Sequence, residues 1–174
     1  MGLITETGAG LPNAESYISV ADATAYHAGL GNAAWAALAS DTLREQALRK
    51  ATLYMLQTYR SRWKGVRTTS TQALDWPRYD VEVPDVGYGR FVSILASNVV
   101  PAEVRNACAE LALRVASGVD LSPDLERTIS RETVGPITTE YEGGAAESPR
   151  FKAVDRMLAP YLCGSSNSGR LVRG

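Results

Sequence analysis

Residues 40–60, Ser-Asp-Thr-Leu-Arg-Glu-Gln-Ala-Leu-Arg-Lys-Ala-Thr-Leu-Tyr-Met-Leu-Gln-Thr-Tyr-Arg, carry the strongest periodic signal in the N-terminal half of the chain. Leu43, Ala47, Leu48, Ala51, Met55 and Tyr59 recur at three- and four-residue steps, the spacing of one helix face. Arg44, Glu45, Arg49 and Lys50 fill much of the other side. Ser40, Asp41 and Thr42 all suit an N-cap, and Thr42 with Glu45 has capping-box spacing. The pattern predicts a long amphipathic helix ending near Arg60.

The neighbouring stretches extend this into a mainly α fold: a small helical bundle with a long irregular loop, a short β-hairpin-like element and extended termini. Upstream, Ser19 and Asp22 resemble a capping box for a helix over 20–28, which Gly29 and Gly31 end. Asn32 can cap a turn over 33–39 carrying Trp35 and Leu38. Residues 1–15 have no periodicity and read as an extended N-terminal arm. Downstream, Gly65, Pro77, Pro84, Gly87 and Gly89 prevent any long helix over 61–98. Phe91 to Leu95 reads as a short strand there. A loop of this length is unusual in a compact domain and tends to be functional.

Pro101 suits a first helical turn, Val104, Cys108, Leu111 and Val115 form an apolar stripe, and Gly118 supplies the stop. Within 129–141, Ile129 to Val134 and Ile137 to Tyr141 read as extended segments bent at Gly135-Pro136. Phe151, Val154, Leu158 and Tyr161 then share one face of a last helix opened by Ser148-Pro149. The domain is therefore expected over 16–162, with a flexible C-terminal tail over 163–174.

Composition narrows function. With 174 residues the chain can bury roughly 70% of its unfolded surface, so no metal or disulfide is needed for stability. Lys plus Arg total 18 against 19 acids, a net charge of −1, whereas a dedicated non-specific nucleic-acid binder carries a basic excess. The two cysteines, Cys108 and Cys163, make no secreted-type framework, and Cys108 reads as a small core hydrophobe. No apolar run approaches the ~20 residues of a membrane span. The first residues show neither a signal peptide nor, with Glu6 in the deciding position, a myristoylation motif.

Chemistry-bearing motifs are scarce. His27, the sole histidine, lies in no catalytic motif and reads as a surface or core-edge residue. Cys108, Cys163 and His27 fall short of the four ligands of structural zinc. Gly87-Tyr88-Gly89-Arg90 lacks the third glycine and flanking elements of a dinucleotide fingerprint, and there is no P-loop. Glu140 and Glu142 would share a strand face, where acids discourage stray strand pairing. No catalytic residue, cofactor or metal is expected, and the chain reads as a non-enzyme.

Arg60-Ser61-Arg62-Trp63-Lys64-Gly65-Val66-Arg67 is the distinctive stretch, four positive charges interleaved with an indole. This suits phosphate contact with base stacking. It equally suits a Trp63 plug under a rim of Arg and Lys stems, the preferred reading, or docking to an acidic partner. Trp76-Pro77-Arg78 reads first as core packing and a fixed turn.

Several stretches, in order, carry a resemblance: 21–35, 47–59, Trp63-Lys64-Gly65-Val66-Arg67-Thr68-Thr69, Gln72-Ala73-Leu74-Asp75-Trp76-Pro77-Arg78, 100–104 with 109–112, 131–137 and 154–160. Together they resemble phage proteins of the DnaT-like single-stranded-DNA-binding family, which are similar in layout to head–tail connector (adaptor) proteins of long-tailed phages. Residues 72–78 are the most specific piece. The resemblance implies a homo-oligomeric ring, commonly of twelve subunits, under the portal in the virion neck, with host cytoplasm as the site before assembly. Its implied partners are the portal protein, a tail-side neck or tail-completion protein and the genomic double-stranded DNA in the channel, with no membrane. On this resemblance Arg60, Arg62, Trp63, Lys64, Arg67 and Arg78 are candidate DNA-channel or partner contacts. Ile129, Val134, Ile137, Tyr141, Leu171 and Arg173 are candidate portal or neighbour-subunit contacts. The alternative is a DnaT-like single-stranded-DNA-binding replication protein.

Overall fold

A computed structural model describes residues 2–83, 93–123, 131–134, 137–140 and 150–163. Its helices are α1 (Val20–Gly29), α2 (Ala33–Ala36), α3 (Asp41–Tyr59), α4 (Ala102–Ala116) and α5 (Lys152–Leu158). Its strands are β1 (Val66–Arg67), β2 (Arg78–Tyr79), β3 (Glu82–Val83), β4 (Ser93–Ile94), β5 (Arg131–Val134) and β6 (Ile137–Glu140). They form three separate antiparallel pairs, β1–β2, β3–β4 and β5–β6. The chain is mainly helical, as its periodicity requires.

Local chemistry explains the helix starts. Ser19 Oγ accepts from Asp22 N at 3.0 Å and donates to Asp22 Oδ2 at 2.8 Å, the expected cap of α1. For α3 the cap is Ser40, whose Oγ accepts from Leu43 N at 3.4 Å, so the helix begins before the Thr42–Glu45 pair. Helix α2 stops at Ala36, short of the expected Ala39, and Asn32 makes no side-chain cap; its Nδ2 donates to His27 Nδ1 at 3.0 Å.

Helix α4 is the axle, packed against each of the other four helices. Its Ala107, Cys108, Ala109 and Ala112 are fully buried, and side chains this small let neighbouring helices approach from several sides. Leu111 and Val104 fill the remaining space, each contributing roughly 1.5–3 kcal/mol by burial. Cys108 lies beside Thr52 Oγ1 of α3 at 3.4 Å, and burial pushes its thiol pKa up. Leu43 and Leu53, both on α3, stay about half exposed, so not every leucine of α3 faces the core.

The opening segment is not an extended arm. Glu15 N donates to Ile4 O at 2.7 Å and Glu6 N to Ser16 O at 2.9 Å, closing residues 4–16 into a loop. Glu6 is buried, and its carboxylate accepts from Gly8 N and Gly10 N at 2.9 Å each and from Leu11 N at 2.8 Å. Three backbone donors offset the cost of burying that charge. Gly8, at φ +101, is required because a Cβ there would lie 1.9 Å from Asn98 O.

The first part of the long loop is also built into the core. Trp63, Leu74, Trp76 and Val81 are buried, and the Trp76–Pro77 bond is cis. Trp63 bridges to Leu162, while Cys163 N donates to Arg62 O at 2.7 Å, tying the end of the domain to the loop's start. The expected strand over 91–95 is realised in Ser93–Ile94, paired with Glu82–Val83.

Candidate functional site

The basic segment continues directly from α3 as a 3₁₀ turn, Arg60–Arg62, followed by β1. Its fold depends on residues 72–78. Gln72 Nε2 donates to Leu74 O at 2.8 Å and Pro77 O at 3.1 Å, and its Oε1 accepts from Thr68 Oγ1 at 2.8 Å and Thr69 N at 2.9 Å. One buried amide thus closes the loop on both sides. Asp75, buried, accepts from Arg60 Nε at 2.9 Å and Trp63 Nε1 at 3.3 Å. Arg78 donates to Lys64 O and Gly65 O at 2.7 Å and to Asp75 O at 3.1 Å. Burial lowers the Arg78 pKa, while the hydrogen bond to Asp75 raises that of Arg60.

The six candidate contacts of this segment therefore divide. Trp63 is only 4% exposed, edge-on to Trp76 with centroids 5.6 Å apart, and has no free face for a base. Arg78 is spent on backbone carbonyls. Arg60 is bound to Asp75 yet keeps 55% of its side chain exposed. Arg62 lies over the Tyr59 ring at 5.6 Å, Lys64 Nζ donates to Pro160 O at 2.7 Å, and Arg67 donates to Gln72 O at 3.3 Å. Arg62 and Arg67 are solvent-exposed and Lys64 half-buried.

Two residues the sequence reading missed complete this surface. Val66 and Tyr79 are register partners across β1–β2, 60% and 48% exposed. Tyr79 is the one exposed aromatic side chain among the described residues. Gly65, at φ +65, permits the approach, since a Cβ there would lie 2.0 Å from Tyr79 O. Strand alternation hints that Val66 and Arg67 face opposite ways, but the pairing with Tyr79 is a long-range register that no local pattern announces.

A second candidate element is the β5–β6 hairpin, with Val134 opposite Ile137 and Arg131 opposite Glu140. Its position matches the extended segments expected within 129–141. Ile129, Tyr141, Leu171 and Arg173 lie outside the described residues. Where the chain leaves α4 toward this hairpin, Leu53, Tyr54, Val119 and Leu121 line a groove of about 510 Å³.

His27 is buried, against the surface or core-edge expectation, and belongs to the packing. Its Nε2 lies 3.1 Å from Ala109 O, which can only accept, so Nε2 carries the proton and Nδ1 accepts from Asn32 Nδ2 at 3.0 Å. Burial lowers its pKa, opposed by the Ala109 carbonyl and, more weakly, by Glu110. The unfolded chain therefore takes up a proton before the folded one does. The stability from neutral His27 is complete above about pH 6.5 and falls as pH drops below it, by at most about 1.4 kcal/mol per pH unit. Urea unfolding across that range should show the slope, and His27→Gln should remove it. Among the described residues no three His, Cys, Asp or Glu side chains gather as metal ligands would, and no helix is long and apolar enough to cross a membrane.

The family model described as "Putative DnaT-like ssDNA binding protein" matches residues 1–174. No curated protein and no solved structure matches the chain.

Proposed function

We propose, for a chain that belongs to the DnaT-like ssDNA-binding family, that it is a non-catalytic assembly protein, a tailed-phage head–tail adaptor working as one copy in a ring beneath the portal. The observation carrying this reading is the β5–β6 hairpin. Two strands alone are marginal in water, and among the described residues these two pair with each other and no third strand joins them. An open strand edge is a standard means for one chain to hold another. In this reading Ile129, Val134, Ile137 and Tyr141, with Leu171 and Arg173 of the tail, meet the portal or the next subunit. The tail-side neck protein docks on the far side of the ring. A net charge of −1 per copy supports a channel that duplex DNA passes without strong phosphate attraction.

The hairpin makes the test direct. Replacing residues 129–141 with a short Gly/Ser linker should leave helicity unchanged and shift stability by no more than about 0.5 kcal/mol. The same variant should no longer enter a complex with the portal protein, measured by co-sedimentation. Undiminished entry into that complex would sink the reading.

The second reading, a single-stranded-DNA-binding replication protein, is favoured by the family's own description and by the exposed Tyr79 on the segment that also exposes Arg62 and Arg67. Stacking contributes about 1–3 kcal/mol per base and uses successive exposed rings. Trp35, Trp63 and Trp76 are all buried, which leaves Tyr79 to serve alone among the described residues.

A further inference from the structure

The opening loop carries an unused strand edge. Glu6 N donates to Ser16 O at 2.9 Å and Ser16 N to Ile4 O at 3.3 Å, a parallel bridge centred on Thr5 and Ser16. Main-chain groups alternate sides along an extended chain. Thr5 lies between two residues that face Ser16, so it turns its own N–H and C=O the opposite way. Neither these groups nor those of Thr7 have a hydrogen-bond partner among the described residues. Thr7 is exposed and Thr5 half-buried. Thr5, Glu6 and Thr7 all border one groove of about 410 Å³. Consecutive residues do so where a strand presents its edge, whereas a strand face presents alternate ones. Asp22 in the first turn of α1, Arg105 near the start of α4 and Val99, 40% exposed, border the same groove. Asp22 and Arg105 are both exposed, and neither joins an ion pair among the described residues.

We infer that this edge pairs two copies of the chain antiparallel across a two-fold axis, with Thr5 of each opposite Thr7 of the other. Unpaired main-chain groups at strand spacing call for another strand, since a polypeptide repeats donor and acceptor at that interval. A second copy fits because an edge set antiparallel against itself is complementary by construction, each opposed pair exchanging two N–H···O bonds. The charges select the same occupant. One groove holds an exposed cation and an exposed acid, and a two-fold axis brings Arg105 of each copy to Asp22 of the other. The two Glu6 carboxylates come near the axis, but each is buried and already held by Gly8, Gly10 and Leu11 N–H groups of its own loop. Val99 adds an apolar contact beside the edge. A two-fold contact differs from the head-to-tail contact of a ring. The pair is therefore a state of the chain away from the portal, and it stands independently of the adaptor reading.

Sedimentation equilibrium of the full chain across concentration should show the mass rise from one copy to two, and salt should weaken the pair. Thr5→Pro removes an N–H that the folded chain does not itself use, at a position already extended. Its stability should hold while pairing weakens about ten- to a hundredfold, because two bonds are lost per dimer. Arg105→Asp and Asp22→Arg should each weaken pairing about tenfold. Mixed in equal amounts, these two should pair again, because each then offers two charges opposite to those of the other. Circular dichroism checks that every variant is folded; if Thr5→Pro is not, the charge variants and their recovery on mixing decide. A wild-type chain that stays single up to about millimolar concentration overturns the pairing. Association that survives Thr5→Pro, or charge variants with no loss or no recovery, overturns it as well. Adding portal protein in a separate run reads the ring: no complex there, with the pair intact and lost in Thr5→Pro, overturns the adaptor reading alone.

Discussion

Trp76→Ala is expected to lower stability by about 3–5 kcal/mol, the cost of emptying a large aromatic site in a closed core. Trp76 is fully buried, edge-on to Trp63 at 5.6 Å and to Tyr161 at 5.7 Å between centroids. It therefore joins the loop after α3 to the 3₁₀ turn that follows α5, and its loss loosens these two segments from each other. The indole Nε1 is buried and has no hydrogen-bond partner among the described residues. Trp76→Phe discards that unsatisfied donor while keeping ring contact, so its cost should be well under half that of alanine. Urea denaturation of both variants checks the pair. Equal losses would show that the N–H matters and that the packing account is wrong.

Asp75→Ala should cost about 2–4 kcal/mol. The carboxylate is 1% exposed and holds Arg60 Nε at 2.9 Å and Trp63 Nε1 at 3.3 Å. Arg60, 55% exposed, can turn to water once released, so its share of the loss is small. The buried indole N–H of Trp63 cannot, and an orphaned buried donor carries most of the penalty. Asp75→Asn leaves one acceptor and should recover about half of it. A cost for Asp75→Ala below about 0.5 kcal/mol, measured by the same denaturation, would contradict the role given to this network.

Both predictions concern residues 72–78, and this stretch shows what a sequence can and cannot disclose. Helices α1, α3 and α4 were legible because their signals are local: Ser19 caps three residues ahead, and Leu48, Ala51 and Met55 repeat at helical spacing. The preference for Trp63 and Trp76 as packing residues came from the bulk of tryptophan. Gln72 bonding the carbonyls of Leu74 and Pro77, or Arg78 bonding those of Lys64 and Gly65, leaves no periodic trace. The loop over 4–16 was missed for the same reason. Its organiser, Glu6, works through the backbone N–H groups of Gly8, Gly10 and Leu11, which look like any glycine-containing irregular segment. Basic residues over 60–67 were visible as charges, but which of them face solvent depends on Asp75 and the β1–β2 register. The exposed partner of Val66 proved to be Tyr79, thirteen residues away.

The basic residues of 60–79 likewise acquire meaning only with the geometry. Five basic residues over 60–79 suggest phosphate binding until Trp63 is found buried and Arg78 consumed by carbonyls.

The most direct test is the light-scattering mass of the full chain, measured across concentration, with portal protein and separately with a single-stranded oligonucleotide. The assembly account expects the mass to rise to a closed multimer in the presence of portal, with no stable complex on the oligonucleotide. A single-chain mass with portal, together with a tight oligonucleotide complex lost on Tyr79→Ala, would contradict it.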